Sequence, residues 1–299
     1  MSSECINERF STTRRLTRVR PDVDPCFRLS PDPERKNEGG LRARGLYKSD
    51  ESGPLISVIT IALNCASTIE KTILSVLSQT YSNIEYIIID GGSVDGTLDI
   101  IRKYEHAIDY WISGPDRSLY DAMNKGIKAS TGKWLNFMNV KDTFVSDATI
   151  QIVVDKYLQG EAKFVYSDAL LTNGKSDDVV LHKCDHKKYV FIHQASIYRK
   201  SLHLEYGLYL VAKGLTISDY IFFCLIDQKY YLKAEEPIAK YDTTGISQSK
   251  ASVEQKFLVD YLLNGMSKYE FLIRLQLSYY YGQLKMFFSR LLKSRHLKT

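Results

Sequence analysis

The sequence predicts an α/β fold built on a mostly parallel sheet, and two observations carry that expectation. Near-continuous apolar runs rich in Ile and Val, "LISVITIAL" (55–63) and "IEYIIID" (84–90), are the pattern of strands covered on both faces. They alternate with segments at helical spacing, which is the order that places helices on both sides of a parallel sheet. With 299 residues, 44% of them hydrophobic, the chain can bury a sizeable core.

Each element has its own local reason. After the 55–63 strand, "STIEKTILSVLSQT" (67–80) repeats apolar residues at helical spacing, and Ser67 with Glu70 reads as a capping box. The second strand, 84–90, runs into a glycine-rich turn, "GGSVDG" (91–96), and a short helix. "DYWIS" (109–113) is a third strand. The helix "SLYDAMNKGIKA" (118–129) follows, with Ser118 placed to cap it and Asp121 three positions on. "GKWLNFMN" (132–139) is a fourth strand and "TIQIVVDKYL" (149–158) a further helix. Beyond about 164 the pattern loosens into shorter strands (164–171, 178–184, 230–241) around a helix near 219–227. The main domain is expected to span 55–248.

The two ends differ from it. Residues 1–54 hold five of the seven prolines and nine arginines offset by nine acids, without apolar periodicity, and are expected to form a disordered extension. That charge balance argues against a nucleic-acid arm. Residues 249–299 form a basic amphipathic helical region. From Phe271 onward there is no acid, while Arg274, Lys285, Arg290, Lys293, Arg295 and Lys298 are interleaved with Tyr279, Tyr280, Tyr281, Phe287 and Phe288. Two readings are open for 271–299: a peripheral contact with an anionic membrane surface, or a helix packed on its own domain with a solvated basic face.

Composition excludes several classes. The net charge of +5 is too mild to imply nucleic acid. Five scattered cysteines (Cys5, Cys26, Cys65, Cys184, Cys224) form no CxxC pair, which excludes a disulfide framework and suits a reducing cytoplasm. No apolar run approaches the roughly 20 residues that span a bilayer. The expected location is cytoplasmic, with the inner face of the membrane as an option. His182, Cys184 and His186 resemble a metal cluster, but on a strand they would alternate onto one exposed face without a second cluster to close the site.

The chemistry is expected at the strand tips. The four main strands end near Asn64, Asp90, Asp116 with Arg117, and Asn139 with Asp142, and the carboxyl ends of parallel strands share one edge. There is no GxGxxG after the first strand and no GxxxxGK[ST], which argues against a dinucleotide fold and a P-loop. The acid and glycines of "DGGSVDG" suit a base or ribose held close to backbone. Arg117, Lys125 and the start of a helix are parts that hold phosphate oxygens.

"ISVITIALNCASTIEKTILSVLSQTYSNIEYIIIDGGSVDGT" followed by "DYWISGPDRSLYDAMNKGIKASTGKWLNFMN" resembles the nucleotide-sugar domain of family 2 glycosyltransferases with the GT-A fold, closest to the bacterial polysaccharide-biosynthesis type. The likeness is dense over 55–145 and thinner to about 247, through "HQASIYRK", "ISDY" and "EEPIAKYDTTGIS". The resemblance implies an inverting transfer from a nucleotide-sugar donor, a UDP-sugar foremost, to a glycan or lipid-linked saccharide acceptor. It implies that Asp90 contacts the base, Asp95 the nucleoside end, and Asp121, Asn124 and Lys125 the donor sugar and diphosphate. Asn139 and Asp142 match the family's metal-binding motif, with Mg²⁺ or Mn²⁺ on Asp142. Asp219 matches its general base, and His193 with Gln194 a His-Gln pair near the acceptor.

One departure bears on the metal. Lys141 stands where the motif often has an acid. It is a substitute cation, a solvent-facing bystander, or the mark of a transferase-like binding subunit that partners an active enzyme. A sugar nucleotidyltransferase is disfavoured, because its basic glycine-rich loop is missing after the first strand.

Overall fold

The computed structural model describes residues 10–13, 16–17, 37–48, 53–173, 178–244 and 249–278. Two compact units emerge: residues 1–211 with 226–243, and residues 212–225 with 244–299.

In the first unit the strands are β1 (Leu16–Thr17), β2 (Asn37–Gly39), β3 (Tyr47–Lys48), β4 (Ile56–Ala62), β5 (Ile84–Asp90), β6 (Tyr110–Ser113) and β7 (Trp134–Phe137), followed by β8 (Thr143–Phe144), β9 (Phe164–Tyr166), β10 (Ala169–Thr172), β11 (Val180–His182), β12 (Ser196–Arg199), β13 (Tyr231–Lys233) and β14 (Ala239–Asp242). Its helices are α1 (Ile69–Leu77), α2 (Thr97–Lys103), α3 (Leu119–Ala129), α4 (Thr149–Tyr157) and α5 (Leu202–Tyr206). The main sheet runs β13-β9-β12-β7-β4-β5-β6-β2. Four neighbouring strands, β7, β4, β5 and β6, are all parallel. They include the two near-continuous apolar runs of the sequence, β4 and β5, and every residue of β5 is buried. A second sheet runs β11-β10-β14-β8, and β1 pairs with β3.

Three expectations shift. Strand β12 was not legible as a strand, and it runs antiparallel between β9 and β7. Helix α1 begins at Ile69 behind Thr68, which makes no side-chain cap. The expected capping box is absent because Glu70 instead accepts from Lys103 Nζ (2.7 Å) and the Tyr104 hydroxyl (2.8 Å). Helix α3, by contrast, is capped as expected, with Ser118 Oγ accepting from the Asp121 N–H.

The largest correction concerns the extension. Residues 37–48 are ordered: β2 adds antiparallel to β6, and Arg42 is buried against Glu85. Gly39 lies on the Trp111 ring, where a Cβ would come within 2.7 Å, so glycine lets this edge strand sit flat on the indole. Backbone pairing, the buried ion pair and two buried leucines, Leu41 and Leu46, attach the arm, which is too few apolar positions to show a periodicity. The rest of the expected extension, apart from the short stretches around 10–17 and 53–54, lies outside the described residues.

The second unit contains α6 (Ser218–Leu225), α7 (Lys250–Leu263) and a helical stretch over 268–278. The Tyr220 hydroxyl donates to Asp260 and joins α6 to α7. Leu258, Leu262, Leu263, Tyr269, Ile273 and Leu277 are exposed on it. Most of the basic segment 271–299 lies outside the described residues. No helix among the described residues is long and apolar enough to cross a membrane.

Candidate active site

The turns after β4 and β5 are laced together by the polar residues the sequence marks. Asn64, at φ 47°, accepts from Val94 N–H (3.0 Å) through its side chain and donates its own N–H to Ser93 Oγ (2.8 Å). Asp95 accepts from Ala66 N–H (3.0 Å), Thr97 N–H (3.1 Å) and Thr97 Oγ1 (2.6 Å). The Thr97 hydroxyl foremost holds the Asp95 carboxyl below its ordinary range. Asp90 ends β5 with its carboxylate buried. It accepts from Gly92 N–H (3.2 Å), Ser93 N–H (3.0 Å), Ser93 Oγ and Ser113 Oγ (2.6 Å). A carboxylate that gathers these donors shapes the loop into an Asx turn at the sheet edge.

A chain of alternating charges continues from there. Asp116 lies against Gly91, its Oδ2 3.3 Å from where a Cβ would stand. Lys125 Nζ donates to Asp116 Oδ1 (2.6 Å) and the Pro115 carbonyl (3.0 Å), and sits 3.7 Å from Asp121 Oδ2. Arg117 reaches Asp121 through Nη2 (2.7 Å), Nε (3.2 Å) and its backbone N–H (3.1 Å). Burial works to raise the Asp121 carboxyl, but the Arg117 bonds and Lys125 hold it below the ordinary value. Burial raises Asp116 despite Lys125. Helix α3 can present these groups because Gly126 packs on the sheet, where a Cβ would meet Ile59 at 2.5 Å. Thus Asn64, Asp90, Asp95, Arg117, Asp121 and Lys125 gather at the carboxyl edge of β4, β5 and β6.

Asn124 behaves differently. Its side-chain Nδ2 donates to the Tyr209 carbonyl (2.8 Å) and its Oδ1 accepts from the Tyr209 N–H (3.0 Å). It clamps α3 to residue 209 rather than presenting its amide beside Asp121.

After β7 the chain makes a tight turn, closed by Asp142 N–H donating to the Asn139 carbonyl (3.1 Å). Lys141 forms the corner at φ 80° and is exposed, whereas Asp142 is only 3% exposed. Asp142 Oδ1 accepts from the Asp242 N–H on β14 (2.8 Å), and the Gln194 side chain also bonds this carboxyl. Burial pushes the Asp142 carboxyl up to about 7, against those two hydrogen bonds. Asn139 Oδ1 is buried and accepts no hydrogen bond. A carboxylate and, three residues before it, an unsatisfied amide oxygen are hard-oxygen donors of the kind Mg²⁺ or Mn²⁺ takes. Among the described residues no three His, Cys, Asp or Glu side chains gather around a metal-sized space.

The His-Gln pair divides its work. Gln194 bonds Asp142, and His193 Nε2 meets the Tyr209 hydroxyl at 3.2 Å. Asp219 lies in the second unit, in the first turn of α6. The expected His182–Cys184–His186 stripe on one exposed face does not form. Cys184 is buried, Asp185 caps a tight turn, and His186 Nδ1 meets the Tyr166 hydroxyl at 2.8 Å.

The glycosyl transferase family 2 model matches residues 57–226, more than half of the chain. The chain belongs to glycosyl transferase family 2. An uncharacterised glycosyltransferase of Mycobacterium tuberculosis is 32% identical to this transferase over 216 residues, covering 67% of this chain and 79% of the relative. A Mycobacterium bovis PGL/p-HBAD biosynthesis glycosyltransferase is 31% identical, over 53% of this chain and 64% of its own. The fold is GT-A. The S. aureus TarS 1–349 structure in complex with UDP-GlcNAc superposes with a TM-score of 0.56 at 15% identity, over 74% of this chain and 70% of that one. A Pyrobaculum calidifontis mannosyltransferase in complex with GDP-Man and Mn²⁺ does so with 0.57 at 14%, over 73% and 66%.

Sequence reasoning about the transferase missed Tyr209, Tyr198, His203 and Asp242. Only the mate of Asn124 across 85 residues explains the first, and nothing local marks such a partner.

Proposed function

We propose that this transferase moves a sugar, with inversion, from a nucleoside-diphosphate sugar to a glycan or lipid-linked saccharide, in surface polysaccharide or glycolipid biosynthesis at the cytoplasmic face of a membrane. The observation that carries this reading is the cluster at the carboxyl edge of β4–β6. Acids that can take a base or ribose (Asp90, Asp95) stand beside two cations already poised on carboxylates. Lys125 and Arg117 can exchange Asp116 and Asp121 for diphosphate oxygens, because guanidinium and ammonium bind phosphate and carboxylate with the same donors. Asn139 and Asp142 would hold a divalent ion, which as a Lewis acid would neutralise charge on the departing diphosphate. The complex of the mannosyltransferase neighbour with GDP-Man and Mn²⁺ supports a divalent requirement.

For transfer, the acceptor hydroxyl must lose its proton as its oxygen attacks the anomeric carbon and the diphosphate leaves. Asp219 is assigned that proton. An E. coli relative, 39% identical over 31% of this chain and 37% of its own, is named a UDP-Glc:alpha-D-GlcNAc-diphosphoundecaprenol beta-1,3-glucosyltransferase, which supports a UDP-sugar and a lipid-linked acceptor here. The basic, acid-free segment from Phe271 suits an anionic membrane surface.

The test is a donor screen with Mn²⁺ followed by Asp219→Asn. Transfer from at least one nucleotide sugar is expected. In the variant transfer should fall by at least about 100-fold, with donor affinity kept. Full activity in Asp219→Asn removes the base assignment. Failure to bind any nucleoside diphosphate by calorimetry, with or without Mn²⁺, removes the enzyme reading and leaves the binding subunit.

A further inference from the structure

Behind the Asn124 clamp lies a buried file of four side chains. His193 Nε2 is 3.2 Å from the Tyr209 hydroxyl, which is 2.7 Å from the Tyr198 hydroxyl. Tyr198 in turn is 3.2 Å from His203 Nε2, and His203 Nδ1 is 3.0 Å from the Gly207 carbonyl oxygen. All four residues are buried, and the His193 ring packs on Phe137 at 4.8 Å between centroids.

The far end of the file sets its direction. A carbonyl oxygen only accepts, so His203 Nδ1 carries a proton and donates it to Gly207. Burial holds the His203 imidazole down, to about 4, so at neutral pH its Nε2 bears a lone pair. Tyr198 must therefore donate to His203 Nε2. Its single proton is then spent, so the short contact with Tyr209 needs the Tyr209 proton. Tyr209 in turn has only its oxygen left for His193, and His193 Nε2 must be the donor. Each step follows from one proton per hydroxyl and one per neutral imidazole.

We propose that Tyr209 is a positioning residue for the transfer: through Tyr198, His203 and the Gly207 carbonyl it fixes His193 as the Nε2–H tautomer, with the lone pair on Nδ1. In that tautomer the buried Nδ1 can only accept, as from an acceptor hydroxyl that the transfer would bring to it, and cannot donate. The role in transfer rests on the proposed function, whereas the tautomer does not. Asn124 completes the device by bonding the backbone of the same tyrosine, so the α3 helix that carries Asp121 and Lys125 also holds Tyr209 in place.

Two experiments test it on the full chain. Long-range ¹H–¹⁵N correlation on ¹⁵N-histidine protein, with His193 identified by its loss in His193→Gln, should show the Nε2–H form in the wild type. Tyr198→Phe frees the Tyr209 proton to turn toward His193 Nε2, so this residue two bonds away should switch His193 to Nδ1–H. In Tyr209→Phe His193 loses its oriented partner and should show both forms. Partners that orient a metal-ligating histidine are worth about 10- to 100-fold, and on that scale kcat should fall by about tenfold or more in both variants with the donor KM kept. An Nδ1–H signal in the wild type, or an unchanged tautomer in Tyr198→Phe, overturns the direction of the file. If the tautomer switches and kcat stays within about twofold, the positioning role is overturned. A wild type that transfers no sugar overturns the proposed function and that role together, while the tautomer spectrum still decides the direction. Tyr209→Phe keeps the kinetic arm decisive if Tyr198→Phe does not fold.

Discussion

Arg42→Met should be among the more damaging single substitutions in this chain, although Arg42 stands far from the carboxyl edge in sequence. Its guanidinium donates to Glu85 and to the Ala129 carbonyl (2.7 Å), and both side chains of the pair are 4% exposed. Glu85 also accepts from Ser57 Oγ (2.6 Å), Thr131 N–H (2.8 Å) and Thr131 Oγ1. Burial acts to raise the Glu85 carboxyl, and Arg42 with these hydrogen bonds holds it below the ordinary value. Removing the arginine leaves a buried carboxylate with neutral donors alone, which costs about 3–5 kcal/mol. Methionine keeps much of the aliphatic volume, so most of that loss is electrostatic. Urea unfolding followed by the fluorescence of Trp111 and Trp134, the two tryptophans of the chain, reports on this unit. The loss should be smaller at pH 5 than at pH 7.5. In the variant the folded Glu85 binds protons more readily than the unfolded chain, so its penalty grows as pH rises. Arg42→Met with Glu85→Gln should cost less than the two single changes summed, by at least about 1 kcal/mol. A loss below about 0.5 kcal/mol in Arg42→Met would refute the reasoning, because that is the scale of an exposed pair.

Two other outcomes follow from the same structure. His203 has its folded value pushed down to about 4, against an ordinary value of about 6.5, so the unfolded chain takes up a proton first as pH falls. Stability should therefore drop between pH 6.5 and 4, by about 3 kcal/mol from this group, and the same titration on His203→Gln should show a correspondingly shallower fall. Lys141→Gly should raise the unfolding free energy by about 1 kcal/mol, since φ 80° is strained for any side chain. A decrease in the same urea unfolding would mean that the contacts of the lysine outweigh its backbone strain.

The core of the fold was legible because it is local. Strands β4 and β5 are apolar runs covered on both faces, and the observed bounds, Ile56–Ala62 and Ile84–Asp90, fall within a residue of the expected ones. The turn acids were legible for a related reason: parallel strands bring every carboxyl end to one edge, whatever the loops do. Asn64, Asp90 and Arg117 needed only that rule, Lys125 reads as a phosphate-holding cation near a helix start, and Asp95 and Asp121 enter through the resemblance to the family. The same sequence also raised the question of Lys141. The lysine occupies an exposed left-handed corner, and the acid after it turns inward.

What only the tertiary structure decided are the pairings between residues far apart in the chain. Arg42 meets Glu85 across 43 residues, Asn124 meets Tyr209 across 85, and Asp142 meets the Asp242 N–H across 100. No periodicity encodes such a pair, because each partner is an ordinary polar residue until the sheet closes and removes its water. Burial then makes the partner obligatory. That physical difference separates the two: apolar pattern and strand direction are written residue by residue, while the satisfaction of buried polar groups exists only in the folded chain.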